Sequence, residues 1–154
     1  MAALLTLGAE RASAQQMSQR GQPKTAFALS DFGKLHWLEG TWVATSLGET
    51  TLYEKFHFAD DSTVDITYYR DAGMAQPSGT GRLYLSVGRV YHSFGPNRWG
   101  ATHVGADGVF FVPQVNARNT FAWDFKSDDE WTVTMRSGLS GRDRVTVWDL
   151  KRLK

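Results

Sequence analysis

The strongest candidate for chemistry in this sequence is Glu54, a carboxylate that stands among apolar residues. It alternates with Leu52, Phe56 and Phe58, so a strand here places all four side chains on one face. If that face is buried, the pKa of Glu54 rises and the side chain can act as a general acid or base. The alternative is a structural role, in which Glu54 pairs with an inward arginine.

Two histidines are candidates for the same site. His92 and His103 flank the turn signal Gly95-Pro96-Asn97, so we expect them on neighbouring strands. Together with Glu54 they would form a metal-binding or acid–base set, and the candidate catalytic residues are Glu54, His92 and His103. Their spacing matches no metal motif, which favours half-buried, hydrogen-bonded histidines and no bound metal.

Aromatic residues make up 13% of the chain, with six Trp, five Tyr and nine Phe. Such side chains line apolar ligand pockets, and an arginine among them would anchor a carboxylate or phenolate. The alternative is an interior that these rings simply fill. The predicted ligand-binding residues are Tyr68, Tyr84, Arg82, Trp99, Phe111, Trp123 and Arg136.

Composition excludes several classes of function. The 154 residues suffice for one domain, and a formal net charge of +1 gives no overall attraction for nucleic acid or an anionic membrane. No apolar run reaches the roughly 18 residues that a membrane-spanning helix needs. The absence of cysteine excludes disulfides, thiolate catalysis and cysteine-based zinc sites.

Residues 1–26 differ from the rest of the chain. A short apolar run precedes Ala12-Ser13-Ala14, which fits the cleavage signal of a secretory peptide. We therefore expect an exported protein, periplasmic or secreted, with a cytoplasmic protein carrying a disordered tail as the alternative. Either way, the predicted folded domain covers residues 27–154.

The remainder predicts an all-β fold. About ten strand-like segments are separated by turn residues, and short connections favour antiparallel pairing of consecutive strands. Closure into a barrel removes unpaired edges, so we predict a single antiparallel up-and-down barrel of about 8–10 strands, with a short N-terminal helical plug. The predicted strands are residues 40–47, 50–58, 63–69, 81–87, 89–94, 98–104, 109–112, 119–125, 130–137 and 142–152.

Two segments carry a family resemblance. Leu35-His36-Trp37-Leu38-Glu39-Gly40-Thr41-Trp42 leads into the first predicted strand, and Tyr53-Glu54-Lys55-Phe56 lies in the second. With a basic residue ending the last strand, this layout resembles the calycin superfamily, which includes lipocalins, fatty-acid-binding proteins, avidins and nitrobindin-like barrels. It is most similar to uncharacterised bacterial lipocalin-like domains that start with Trp-Leu-x-Gly-x-Trp.

The resemblance implies roles for two residues. Trp42 would close one end of the barrel while Arg152 packs over its ring, with Arg144 or Lys151 as weaker candidates. Nitrobindin-like barrels bind haem through a histidine late in the chain, but no histidine follows His103 here. We therefore predict no haem and no other cofactor.

Three functions remain open, because fold alone does not separate them. The leading one is binding of a small hydrophobic or amphipathic molecule in the barrel, entering near the Arg70–Thr80 loop. The second is an isomerase, cyclase or hydratase that uses Glu54 or a histidine as acid–base. The third is a structural or interaction domain without ligand. The expected partner is a small molecule, with no nucleic acid or membrane span, and the protein is a monomer or small homo-oligomer.

Overall fold

The structure, a computed structural model, describes Lys24 and residues 26–47, 49–138 and 144–154, without the side chains of residues 49–51. The predicted cleavage signal and the start of the last predicted strand lie outside these residues. Within them, no helix is both long and apolar enough to cross a bilayer.

Ten antiparallel strands form a closed barrel, in which each strand pairs with the next and β10 returns to pair with β1. The predicted fold class is therefore confirmed. The strands are β1 Gly40–Ser46, β2 Glu49–Asp60, β3 Thr63–Tyr69, β4 Pro77–Ser86, β5 Arg89–Phe94, β6 Asn97–Gly105, β7 Gly108–Val115, β8 Asn119–Ser127, β9 Glu130–Ser137 and β10 Arg144–Arg152.

Two strands are longer than predicted because proline does not end them. Strand β4 begins at Pro77, and strand β7 continues through Pro113 to Val115. Proline lacks an amide hydrogen, so it is tolerated at the start of a strand or where one neighbour is absent. The pairing of β7 with β8 ends at Phe111, which leaves Pro113 beside only one neighbouring strand.

A short helical segment plugs one end of the barrel. Helix α1 spans Leu29–Phe32 and continues into a 3₁₀ helix at Gly33–Leu38. Phe32, Leu35 and Leu38 recur every three residues and are fully buried, as expected for one face of such a helix. The plug therefore seals the end where β1 begins.

The first and last strands meet under one arginine. The Arg152 guanidinium lies 4.2 Å from the centre of the Trp42 ring, a cation–π arrangement. It also donates hydrogen bonds to the backbone oxygens of Glu39 at 2.7 Å and Asp128 at 2.7 Å. A Cβ at Gly40 would collide with Arg152 Nη1, and the positive φ of 130° also favours glycine there.

Above this closure lies a floor of aromatic rings, formed by Trp42, Phe56, Trp123 and Trp131. Trp131 makes edge contacts with Trp42 at 5.9 Å and with Phe56 at 5.6 Å between ring centres. Phe56 in turn meets Trp123 at 5.8 Å. This half of the barrel is filled, so any space for a ligand lies towards the opposite end.

Replacing Trp42 tests the closure. We expect Trp42→Ala to lower the free energy of unfolding by about 3–5 kcal/mol, because a large, fully buried ring leaves a cavity that cannot collapse. Urea denaturation measures the change. The matched variant Trp148→Ala removes a half-buried ring from the other half of the barrel and should cost less. A loss below about 1 kcal/mol for Trp42→Ala would contradict this role.

Candidate functional site

The half of the barrel opposite the plug is hollow. A cavity of about 360 Å³ opens at that end, within the usual size range of small-molecule sites. Three aliphatic side chains on its wall are Leu52, Val133 and Met135. Six aromatic side chains complete the apolar lining: Tyr68, Phe94, Trp99, Phe121, Trp123 and Trp148.

Strand β4 makes room for two of these rings. A Cβ at Gly81 would lie 3.3 Å from the ring of Tyr68, and one at Gly79 would lie 3.1 Å from that of Phe94. The two rings meet edge to face at 5.2 Å between centres. Because both glycines lack side chains, aromatic rings from β3 and β5 cover this part of the wall at the mouth.

Glu54 lies on the cavity wall, where the alternation of β2 places it. It is 9% exposed, and none of the described residues forms a hydrogen bond or ion pair with its carboxyl group. Burial raises the pKa of Glu54 to about 8, because an apolar environment disfavours the charged form. At neutral pH the side chain is therefore a protonated acid that can donate a hydrogen bond.

His92 is a buried, neutral imidazole beside the same cavity. Its ring lies 5.4 Å from Trp123 and 5.5 Å from both Trp99 and Phe121, measured between centres. Neither ring nitrogen has a hydrogen-bond partner among the described residues. Burial lowers the pKa of His92 to about 3, so the ring carries no charge at neutral pH.

The remaining polar lining lies towards the mouth. Tyr68 is the neighbour of Glu54 across β2 and β3, and burial, with a further effect of Glu54, raises its pKa well above the ordinary value. Arg70 and Ser78 are exposed residues at the rim of the cavity. Among the described lining residues, those in the inner part of the cavity therefore carry no charge at neutral pH, while Arg70 supplies a cation at the rim.

The structure brings together five of the predicted site residues. Glu54, His92, Tyr68, Trp99 and Trp123 all line the cavity. Glu54 has no arginine partner among the described residues, so the structural ion pair considered from the sequence is not formed there. His92 is fully enclosed and lacks the hydrogen bonds expected of it.

Three other predicted residues lie outside the barrel. A bulge in β6 between Ala101 and His103 turns His103 outward, where Nε2 lies 2.8 Å from Asp107 Oδ1. Arg82 donates to Asp65 at 2.8 Å on the outer surface. Tyr84 follows the inward Leu83 and packs against Tyr91 outside, with 5.5 Å between ring centres.

The last two predicted residues do not line the cavity. Phe111 is buried inside the barrel and stacks on the lining residue Phe121, with 4.6 Å between ring centres, so it packs against the cavity wall without lining the cavity. Arg136 follows the lining residue Met135 on β9, and strand alternation turns it to the opposite face.

Sequence reasoning missed Arg70 and Trp148 as lining residues. The alternation that places Ile66 and Tyr68 inward extends to Arg70, although Arg70 lies just beyond strand β3. Trp148 precedes the buried Leu150 by two positions, so the same period would have placed it inside. The alternation of inward and outward residues, extended one step beyond β3 and followed along β10, therefore indicated both residues.

Within the described part of the chain, no group of three or more His, Asp or Glu side chains is arranged to hold a metal ion. A scan against models of known protein families matches none, and a search of curated proteins finds no significant match. The fold and cavity define the class: a closed ten-stranded antiparallel β-barrel, open at one end and consistent with a calycin-like fold.

Two buried titratable groups of the cavity, Glu54 and His92, predict opposite effects of pH on stability. Glu54 keeps its proton up to about pH 8 when folded but releases it near 4.5 when unfolded, so its stabilising contribution is lost as pH rises. His92 remains neutral down to about pH 3 when folded but binds a proton near 6.5 when unfolded, so stability is lost as pH falls. Between pH 4.5 and 6.5 the two effects offset each other.

The variant Glu54→Gln separates these contributions. Between about pH 6.5 and 8 the wild-type free energy of unfolding should fall by up to about 1.4 kcal/mol per pH unit, and the variant should lose this slope. Urea denaturation at closely spaced pH values measures both curves. Parallel curves for the two proteins would show that Glu54 titrates normally in the folded barrel.

Proposed function

We propose that this protein binds a small hydrophobic or amphipathic molecule inside the barrel. The observation that carries the proposal is the hollow half of the barrel opposite the plug, where an aromatic cavity of about 360 Å³ lies beyond the filled aromatic floor. A barrel built only for structural purposes would fill this space with side chains, since protein interiors are close-packed. The cavity therefore favours a ligand-holding role over a ligand-free structural domain.

The shape and lining of the cavity favour a flat or compact apolar ligand. Its volume corresponds to about a dozen water molecules in the liquid. The indole rings of Trp99, Trp123 and Trp148 offer faces and edges for stacking, while Met135 adapts to irregular shapes. Entry is at the rim that carries Arg70 and Ser78, since the plug covers the other end.

An acid–base enzyme is the second candidate, favoured by the position of Glu54. A proton donor with a pKa of about 8 in a water-poor cavity suits isomerase, cyclase or hydratase chemistry near neutral pH. The protein's natural ligand, recovered from its host and incubated with purified protein, tests this candidate. Conversion by the wild type that is lost in Glu54→Gln would establish catalysis, whereas recovery of unchanged ligand would support binding alone.

A pair of identical substitutions tests the binding site. Val133→Phe adds a ring to the cavity wall, whereas Val147→Phe adds the same ring to an exposed position 45% accessible on β10. We expect Val133→Phe to weaken binding of the neutral fluorescent probe N-phenylnaphthylamine by about tenfold or more, because the space is occupied. Val147→Phe should bind as the wild type does. Fluorescence titration measures both.

The outcomes separate cavity binding from surface binding. Equal loss of affinity in both variants, or in neither, would place the probe elsewhere on the protein. Absence of probe binding to the wild type, together with no co-purified ligand in native mass spectra, would overturn the proposed function.

A further inference from the structure

Among the residues that the structure describes, Glu54 has no counter-charge, which is unusual for a buried carboxyl group. The described residues provide it with no ion pair and no hydrogen bond, although the side chain is only 9% exposed. Buried carboxyl groups are ordinarily paired or hydrogen-bonded, because an unsatisfied polar group lowers stability. A group left in this state on a cavity wall is available to a ligand.

The titratable groups around Glu54 offer no internal cation. Tyr68 faces it from β3, and His92 approaches the cavity from β5 as a neutral ring held among aromatic residues. Arg70 is exposed at the rim and forms no ion pair with Glu54. On the other neighbouring strand, β1, the residue paired with Glu54 is Trp42, whose side chain carries no charge. None of the described residues therefore supplies Glu54 with a positive charge, which leaves the carboxyl group available to a cation on a bound molecule.

The walls around Glu54 suit such a charge. The face of an aromatic ring attracts cations, and tryptophan does so most strongly. Trp99, Trp123 and Trp148 share the cavity with Glu54, as does the ring of Tyr68. A carboxylate within an aromatic enclosure combines an ion pair with cation–π contacts, which neutral or anionic ligands cannot use.

We propose that the cavity selects a small organic ammonium ion, with its charged nitrogen paired to the Glu54 carboxylate and its apolar body packed against the tryptophans. This inference rests on the proposed binding function and specifies its ligand class. On binding at neutral pH, the Glu54 carboxyl releases its proton to solvent while the ammonium group retains its own. The complex thus gains one ion pair and releases up to one proton.

An anionic ligand would be bound differently. Its charge would be poorly solvated beside the neutral His92, so it would pair with Arg70 at the rim, while protonated Glu54 could at most donate it a hydrogen bond. A neutral ligand would gain at most a hydrogen bond from the protonated carboxyl. The three classes of ligand therefore depend on different residues.

Three matched probes distinguish the classes by displacement of N-phenylnaphthylamine at pH 7. Phenethylamine is a cation, propylbenzene replaces its ammonium group with a methyl group, and phenylpropionate is an anion. We expect phenethylamine to bind the wild type about tenfold more tightly than propylbenzene. Titration calorimetry in two buffers of different ionisation enthalpy should show proton release with phenethylamine alone.

Variants locate the charge. Glu54→Gln should weaken phenethylamine binding by about tenfold or more and leave propylbenzene and the fluorescent probe within about threefold. Glu39→Gln is the matched control, because Glu39 lies at the plugged end, where its carboxylate accepts a hydrogen bond from the backbone N–H of Phe58 at 2.7 Å. It should alter none of the affinities.

Several results would overturn the inference. Equal affinities for phenethylamine and propylbenzene would show that the cavity selects ligands by apolar shape and not by charge, which leaves the proposed function intact. Binding of phenylpropionate that is tighter than that of phenethylamine, and that is lost in Arg70→Gln, would assign the site to anions instead. Failure of the fluorescent probe to bind the wild type, together with no co-purified ligand in native mass spectra, would overturn the proposed function and this inference together.

Discussion

The contact between Arg152 and Trp42 fixes the organisation of the whole barrel. One guanidinium covers an indole face and bonds backbone oxygens from two separate turns, so the last strand is held to the start of the first. Since β1 and β10 are also paired as neighbours, this contact lies at the seam where the barrel closes. It commits one end of the molecule to dense packing.

Dense packing at one end determines where chemistry is possible. The helical plug and the aromatic floor fill the lower half, and Trp131 links the floor to the plug through Trp37, at 5.5 Å between ring centres. The half opposite the plug is not filled in this way and holds the cavity. Glu54 lies at the boundary between the two halves, because on β2 it is the inward residue next to Phe56 of the aromatic floor. A carboxyl group in this place is poorly solvated and faces the cavity.

The sequence predicted the barrel well because strand alternation and turn residues are local signals. It also grouped Glu54 with Leu52, Phe56 and Phe58 on one strand face without deciding that this face is inside, and the structure shows both Glu54 and His92 buried on inward faces. Simple alternation along β6 would put His103 on the same face as Trp99 and Ala101, but one extra residue between Ala101 and His103 reverses the alternation. A bulge depends on the pairing of two strands, so one strand's sequence does not reveal it.

Charged side chains were the harder part of the site to predict. Arg82 and Arg136 lie within strands, and period alone does not say which face is inside until an apolar neighbour is known to be buried. Leu83 and Met135 settle both cases in the structure. Arg70 was overlooked because it lies just beyond the end of β3, where strand alternation is not ordinarily extended. Register across strands, rather than composition, decides which polar group meets a ligand.

The protonation state of the Glu54 carboxyl group governs the chemistry of the cavity, and carbon-detected NMR of labelled protein measures it directly. The Glu54→Gln variant assigns its signal, and the chemical shift is followed from pH 4 to pH 10. A titration midpoint near pH 8 is the predicted result, since burial disfavours the charged form and none of the described residues pairs with this carboxyl group. A midpoint near the ordinary value of 4.5 would contradict the account, because it would mean that water or a cation within the protein already stabilises the charge.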